Sequence, residues 1–203
     1  MDLAAAILLG GRAQRYGETD KSALIINGET ILDRTIRLLR GVTSHVFAVG
    51  DTYGSARAAG LQVVADAIPD AGALGGIYTA IIEAPCERTL VVGCDMPFLS
   101  ERFLAHLSQV PDADVVMPRT EAGYEPLCAI YGRAVAPEIR GRIDRGERKA
   151  AHVPERGRLV VVGPEEVAAY DPYGLMFVNV NTPHDYERAR RLSATRRNDP
   201  STR

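Results

Sequence analysis

The chain is predicted to fold as a single α/β domain, a mostly parallel sheet held between helices in three α/β/α layers. Three observations lead there. Short apolar runs of strand length alternate with stretches that carry helix caps and a helical apolar stripe, the pattern of a sheet with helices on its faces. No internal repeat or low-complexity segment interrupts the alternation. Gly10-Gly11, Asp66 and Asp95 each closely follow an apolar run. They therefore fall beyond strand carboxyl ends, where open α/β sheets bind ligands.

The elements follow in order. Leu3–Leu9 is an unbroken apolar run and reads as a buried first strand. Ala23–Ile26 is a short apolar segment closed by the turn pair Asn27-Gly28. Thr30 then caps a helix, with Asp33 in a capping-box position and Leu32, Ile36 and Leu39 on one face. Gly41 ends it. His45–Val49 reads as a strand, Gly54–Gly60 as a helical turn, and Leu61–Ala65 as a strand ending at Asp66. Pro69, Gly72, Gly75 and Gly76 mark a loop over Ala67–Gly76, and a helix follows over about Ile77–Ala84.

Thr89–Val92 reads as a strand with Gly93-Cys94-Asp95-Met96-Pro97 at its carboxyl end, and Ser100 caps a helix to about Gln109. Strands are expected at Val115–Met117 and Pro126–Tyr131, the second antiparallel, then a helix over Val135–Arg145 with Gly146 beyond its end. Leu159–Val162 and Met176–Val180 are the last expected strands. Thr182-Pro183 opens the final helix with a cap and an N1 proline. One domain is expected over 1–192, with a polar, frayed tail over 193–203.

Composition narrows the function classes. At 203 residues the chain is long enough for one sizeable core, and 46% hydrophobic with 25% charged residues is ordinary for a globular protein. A net charge of −2 argues against a general nucleic-acid binder, so an anionic ligand must be met by a local cluster. Cys86, Cys94 and Cys128 lack metal-ligand spacing and fit buried thiols in a reducing cytoplasm. The four histidines are scattered without metal spacing, and no serine elbow or hydrolase triad stands out. Neither a signal pattern nor an apolar run of membrane-span length appears, so a cytoplasmic location is expected.

The local cluster lies at the first strand's end. Two adjacent glycines break the strand, and Arg12, Arg15 and Lys21 follow. Glycine lets another molecule approach the backbone, and bare N–H groups beside cations suit a phosphate. The spacing fits neither G-x-x-x-x-G-K-[ST] nor G-x-G-x-x-G. Arg12 reads as solvated; Arg15 and Lys21 read as phosphate ligands or, more plainly, as exposed basic residues.

Asp95 lies where a turn is fixed by Pro97. One carboxylate together with substrate phosphates is how Mg²⁺ is usually held, although an aspartate here also suits a turn or helix cap. Asp66, at the end of a strand and before a glycine-rich segment, reads from its neighbours as a turn aspartate. Asp112-Ala113-Asp114 matches a D-x-D metal pattern but directly follows Pro111, which favours a turn. Asn179 and Asn181 are two apart and face one side if the segment is a strand, or else serve local turns.

LLGGRAQRYGETDK resembles the opening of the molybdenum cofactor guanylyltransferase family, roughly L-A-G-G-x-S-x-R-M-G-x-D-K. Leu9, Ala13 and Tyr16 replace the usual Ala, Ser and Met, and the Gly17-to-Asp20 spacing is one residue longer. GALGG (without the usual proline), GCDMP, EPLCAIY and NVNTP continue the resemblance in family order over nearly the whole chain. It implies a nucleotide-diphospho-sugar-transferase-like (Rossmann-like) fold and transfer of GMP from GTP to the terminal phosphate of molybdopterin, with or without its molybdenum. Molybdoenzymes or their chaperones would receive the product.

By this resemblance Leu8, Leu9, Gly10, Gly11, Arg15, Lys21, Asp66, Gly75, Gly76 and Asp95 meet the nucleotide. Arg15, Lys21 and Asp95 are catalytic, Asp95 carries Mg²⁺, and Glu125, Asn179 and Asn181 face the acceptor. Arg148 and Lys149 are candidates for the pterin's phosphate or dithiolene region, or are simply exposed. A cytidylyltransferase or sugar-phosphate nucleotidyltransferase of the same fold, and a non-catalytic pterin carrier, are the competing readings. Leu9-Gly10-Gly11, where cytidylyl relatives tend to read A-A-G, favours guanine.

Overall fold

The structure, a computed structural model, describes residues 2–9, 20–111, 113–150 and 157–197. Strand β1 (Leu3–Leu8) lies inside the sheet, between β6 (Arg88–Gly93) and β4 (His45–Val49), and is parallel to both. β5 (Gln62–Val64) extends the sheet beyond β4. On the other side, β9 (Cys128–Gly132) pairs antiparallel with β6 and with β7 (Val115–Thr120), and β10 (Leu159–Val162) closes that edge parallel to β7. The order is β10-β7-β9-β6-β1-β4-β5, so the chain builds outward from β1 and then returns to its other side.

Alternation along the strands divides the core into two layers. Ala5, Ile7, Leu90 and Val92 face α1 (Ile31–Arg40) and α4 (Glu101–Gln109). Ala4, Ala6, Leu8 and Val91 face α3 (Gly72–Glu83) and α5 (Ala136–Asp144). Small residues over Ala4–Ala6, all fully buried, let helices approach β1 from both sides. This is the expected three-layer arrangement.

Most local expectations hold for their stated reasons. Thr30 accepts from Asp33 N at 2.9 Å, and its hydroxyl donates to Asp33 Oδ2 at 2.6 Å. Ser100 caps α4 through Phe103 N. Asn27 and Gly28 have φ of 58° and 81° and close a hairpin between β2 (Ile25–Ile26) and β3 (Glu29–Thr30).

Three segments differ. α3 starts at Gly72, not near Ile77, so Gly75 and Gly76 belong to a helix and not to a loop. Ala71, Leu74, Ile77 and Ile81 have helical spacing and are buried, which outweighs the loop signal of the glycines. Gly76 lets α3 sit close on β1, since a Cβ there would lie 3.0 Å from Leu8 Cδ1. At Gly75 a Cβ would lie 2.4 Å from the Cβ of Ala71. Gly75→Ala is therefore expected to cost about 1–3 kcal/mol of stability by overpacking, read as a lower melting temperature.

Met176–Val180 is not a strand. Its N–H groups are spent on turns: Asp171 Oδ2 accepts from Met176 N at 2.7 Å, Val178 N donates to Leu175 O, and Val180 N donates to Asp95 O. Met176 and Val180 are apolar because they pack into separate clusters, Val180 with Ile26, Phe98 and Ala189. Finally, α7 runs over Pro183–Arg197, so the polar stretch from Ser193 is helical as far as Arg197, with Ser193 buried. α7 rests on the hairpin, and Tyr186 OH donates to Ile25 O at 2.8 Å. Among the described residues no helix is long and apolar enough to cross a membrane.

Candidate active site

The carboxyl ends of β1 and β6 lie side by side, with Leu8 paired to Gly93. Asp95 lies two residues beyond the end of β6. Its carboxylate folds back over the strand end, which Gly93 permits: a Cβ there would lie 2.8 Å from Asp95 Oδ1. Burial pushes the Asp95 carboxyl above the usual range; its own backbone hydrogen bond and the Lys21 charge oppose this. An ionised carboxylate held in a dry setting near one cation is poised to gain a second.

Lys21 is fixed at both ends. It heads a 3-10 turn, Lys21–Ala23, capped by Asp20, whose Oδ1 accepts from Ser22 N at 2.9 Å and Ser22 Oγ at 2.6 Å. Ser22 Oγ in turn lies 3.1 Å from Ser55 Oγ, at the start of the short helix α2 (Ser55–Ala58). The Lys21 ammonium donates to Asn181 Oδ1 at 3.1 Å, across 160 residues of sequence. Asn181 is held by α7's capping box: Asp185 Oδ2 accepts from Asn181 N and Thr182 N, and Thr182 Oγ1 accepts from Asp185 N. The spacing Thr182-x-x-Asp185 was readable as a capping box; Asp171, which shapes the preceding turn, carried no such local signal.

Lys21, Asp95 and Asn181 thus converge from three distant stretches. Asn179 is exposed two residues before Asn181, with Val180 buried between them. The shared face of the two asparagines expected from a strand does not arise from strand geometry. Leu8 is buried against α3, so its side chain serves the core, and Leu9 continues β1 by donating from its N to Val49 O. Asp66 is exposed beyond β5, and the following Ala67 N is tied to Thr79 Oγ1 of α3 at 3.0 Å. Gly10, Gly11, Arg12 and Arg15 lie outside the described residues.

On the β7–β9 side, Glu125 is half-buried and its backbone is anchored by Glu125 N to Pro118 O and Cys128 N to Glu125 O. Burial pushes its carboxyl up to about 7, against a hydrogen bond with Thr120. A raised native value means that Glu125 favours the fold fully below about pH 4.5 and loses that contribution as pH rises through about 7. Glu125→Gln is expected to flatten the fall in melting temperature over this range, relative to wild type.

Other candidates are spent on structure. Arg148 donates to Ile143 O and Glu147 O, and Lys149 is exposed. Asp114 accepts from Arg158 N at 2.7 Å before β7, at the sheet's amino edge, and Asp112 lies outside the described residues. Cys94 is pushed up to about 12, chiefly by burial, so its thiol stays protonated and inert. The three cysteines are free, and among the described residues no group of three or more His, Cys, Asp or Glu is set to hold a metal. Asp95 is a lone hard-oxygen donor, the kind that suits Mg²⁺, an ion that keeps several waters and takes one or two carboxylates beside phosphates.

The chain has relatives of known kind. The family model of the MobA-like NTP transferase domain matches residues 5–158. Over 192 residues the chain is 31% identical to a probable molybdenum cofactor guanylyltransferase of Pelotomaculum thermopropionicum, covering 94% of this chain and 93% of that one. It is 28% identical to a molybdenum cofactor guanylyltransferase of Desulfosudis oleivorans, covering 93% and 95%. Its fold is similar to the crystal structure of molybdopterin-guanine dinucleotide biosynthesis protein A from Archaeoglobus fulgidus, with a TM-score of 0.78 and 26% identity over 95% of this chain and 99% of the other.

Proposed function

The chain belongs to the family of MobA-like NTP transferase domains, and from that premise we propose that it transfers GMP from GTP to the terminal phosphate of molybdopterin. An acceptor phosphate oxygen attacks the α-phosphorus of GTP. The bond from the α-phosphorus to the bridging oxygen breaks, and pyrophosphate leaves with that bond's electron pair. The product is molybdopterin guanine dinucleotide. The attacking group is already an anion, so the protein needs no strong base; its work is to position two anions and to neutralise charge.

The observation that carries this reading is the convergence of Lys21, Asp95 and Asn181 beside the carboxyl ends of β1 and β6. Lys21, with Arg15 and the Gly10-Gly11 amides, takes the triphosphate. Asp95 would hold Mg²⁺, and the ion would supply neutralisation of phosphate charge. Leu9, Asp66 and the Gly75-Gly76 turn of α3 border the nucleoside. Glu125 and Asn179 border the acceptor. The single domain acts in the cytoplasm, where GTP and free thiols coexist, and hands its product to molybdoenzymes or their chaperones.

Titration calorimetry with GTP, CTP and ATP, with and without Mg²⁺, tests this. GTP-selective binding that Mg²⁺ tightens is expected. A preference for CTP moves the chain to cytidylyl transfer, and a folded sample that binds no nucleotide defeats the reading.

A further inference from the structure

We propose that Asn181 is a positioning residue for Lys21, so that the segment before α7 contributes to nucleotide binding before any acceptor arrives. The inference rests on the nucleotidyl-transfer reading above and deepens it. It reassigns Asn181 from acceptor contact to the nucleotide half of the site.

The geometry is specific. Asn181 Oδ1 accepts from the Lys21 ammonium at 3.1 Å. A lysine has three N–H donors, so this bond leaves two for phosphate oxygens. The tether is also neutral. A carboxylate there would pair with the ammonium and cancel the charge the triphosphate needs, whereas an amide carbonyl fixes the side chain and leaves its charge intact. Lys21 is long and flexible, so a held ammonium loses less freedom when phosphate binds.

The tether is itself anchored. Asn181 N donates to Asp185 Oδ2 at 3.1 Å, within the cap of α7. One residue earlier, Val180 N donates to Asp95 O at 2.9 Å, and the Val180 side chain is fully buried. A single short segment therefore holds the main chain at Asp95 with one residue and the Lys21 side chain with the next. Asn179, exposed on the same segment, remains for the acceptor.

The test is titration of GTP with Mg²⁺, without acceptor, into wild type, Asn181→Ala, Lys21→Ala and the double variant. Asn181→Ala is expected to weaken GTP binding about 5- to 10-fold, the net scale of one ordinary hydrogen bond, since the bond acts on GTP only through the ammonium it holds. In the Lys21→Ala background the same substitution should add nothing beyond about 2-fold, since its effect passes through the ammonium. Asn181→Asp, which preserves shape, should weaken GTP more than Asn181→Ala by pairing with the cation. Unchanged melting temperatures exclude a folding defect, because Asn181 is exposed and its anchoring bond to Asp185 is made by its backbone. If wild type binds GTP and Asn181→Ala binds it equally well, or if the two alanine effects multiply, the inference is overturned alone. If wild type binds no GTP, the guanylyl-transfer reading falls and takes the inference with it.

Discussion

Asp95→Ala is expected to lower turnover by about 10²-fold or more, the scale of losing one preorganised electrostatic group. The reason lies in where the carboxylate sits. It is half-buried at the end of β6, folded back over Gly93, with the Lys21 charge in reach. Burial raises its proton affinity, so the native state gives up that proton reluctantly and stability declines as pH rises above the ordinary carboxylate range. Removing the carboxylate relieves that penalty. The variant should therefore melt no lower than wild type at neutral pH while losing nearly all activity, the pattern of a residue kept for function at a cost in stability. Pyrophosphate release measured against Mg²⁺ concentration checks it: the variant should lose the Mg²⁺-dependent rise. Near-normal turnover with an unchanged Mg²⁺ profile would remove Asp95 from the mechanism.

Lys21→Ala is the second large effect, again about 10²-fold or more in turnover. Lys21 is anchored at its backbone by the Asp20-capped turn and at its ammonium by Asn181. Nothing in that arrangement stabilises the fold enough to explain so placed a cation; one net hydrogen bond is worth about 1 kcal/mol. In the proposed guanylyl transfer its charge would meet that of the leaving pyrophosphate. Lys21→Arg should recover only part of the loss, because a planar guanidinium fork does not reproduce the compact point charge that Asn181 holds. Full activity in Lys21→Ala, by the same assay, would contradict the assignment.

Much of this was legible in the residues. Apolar runs located β1 and β6, since central strands buried on both faces need continuous hydrophobicity, and the shorter runs of β4 and β10 were apolar enough to be found beside them. Thr30 and Ser100 announced their helices because a cap is a local hydrogen bond between residues three apart. Asp95 was placed at a strand end by its neighbours alone. What escaped was set by tertiary contact. The glycines of α3 look like a loop until β1 presses against them at Leu8. Met176–Val180 is as apolar as a strand, but its N–H groups are drawn off by Asp171 and by neighbouring carbonyls, including that of Asp95. The bond from Lys21 to Asn181 spans 160 residues, and no local pattern encodes such a pair.

The most direct test of the central claim is product formation. The chain is incubated with molybdopterin, Mg²⁺ and GTP, CTP or ATP in turn, and the dinucleotide and pyrophosphate are quantified. Guanylyl transfer predicts molybdopterin guanine dinucleotide and equimolar pyrophosphate with GTP, little product with CTP or ATP, and none without molybdopterin. Efficient product from CTP, or nucleotide binding with no dinucleotide from any of the three, would contradict it.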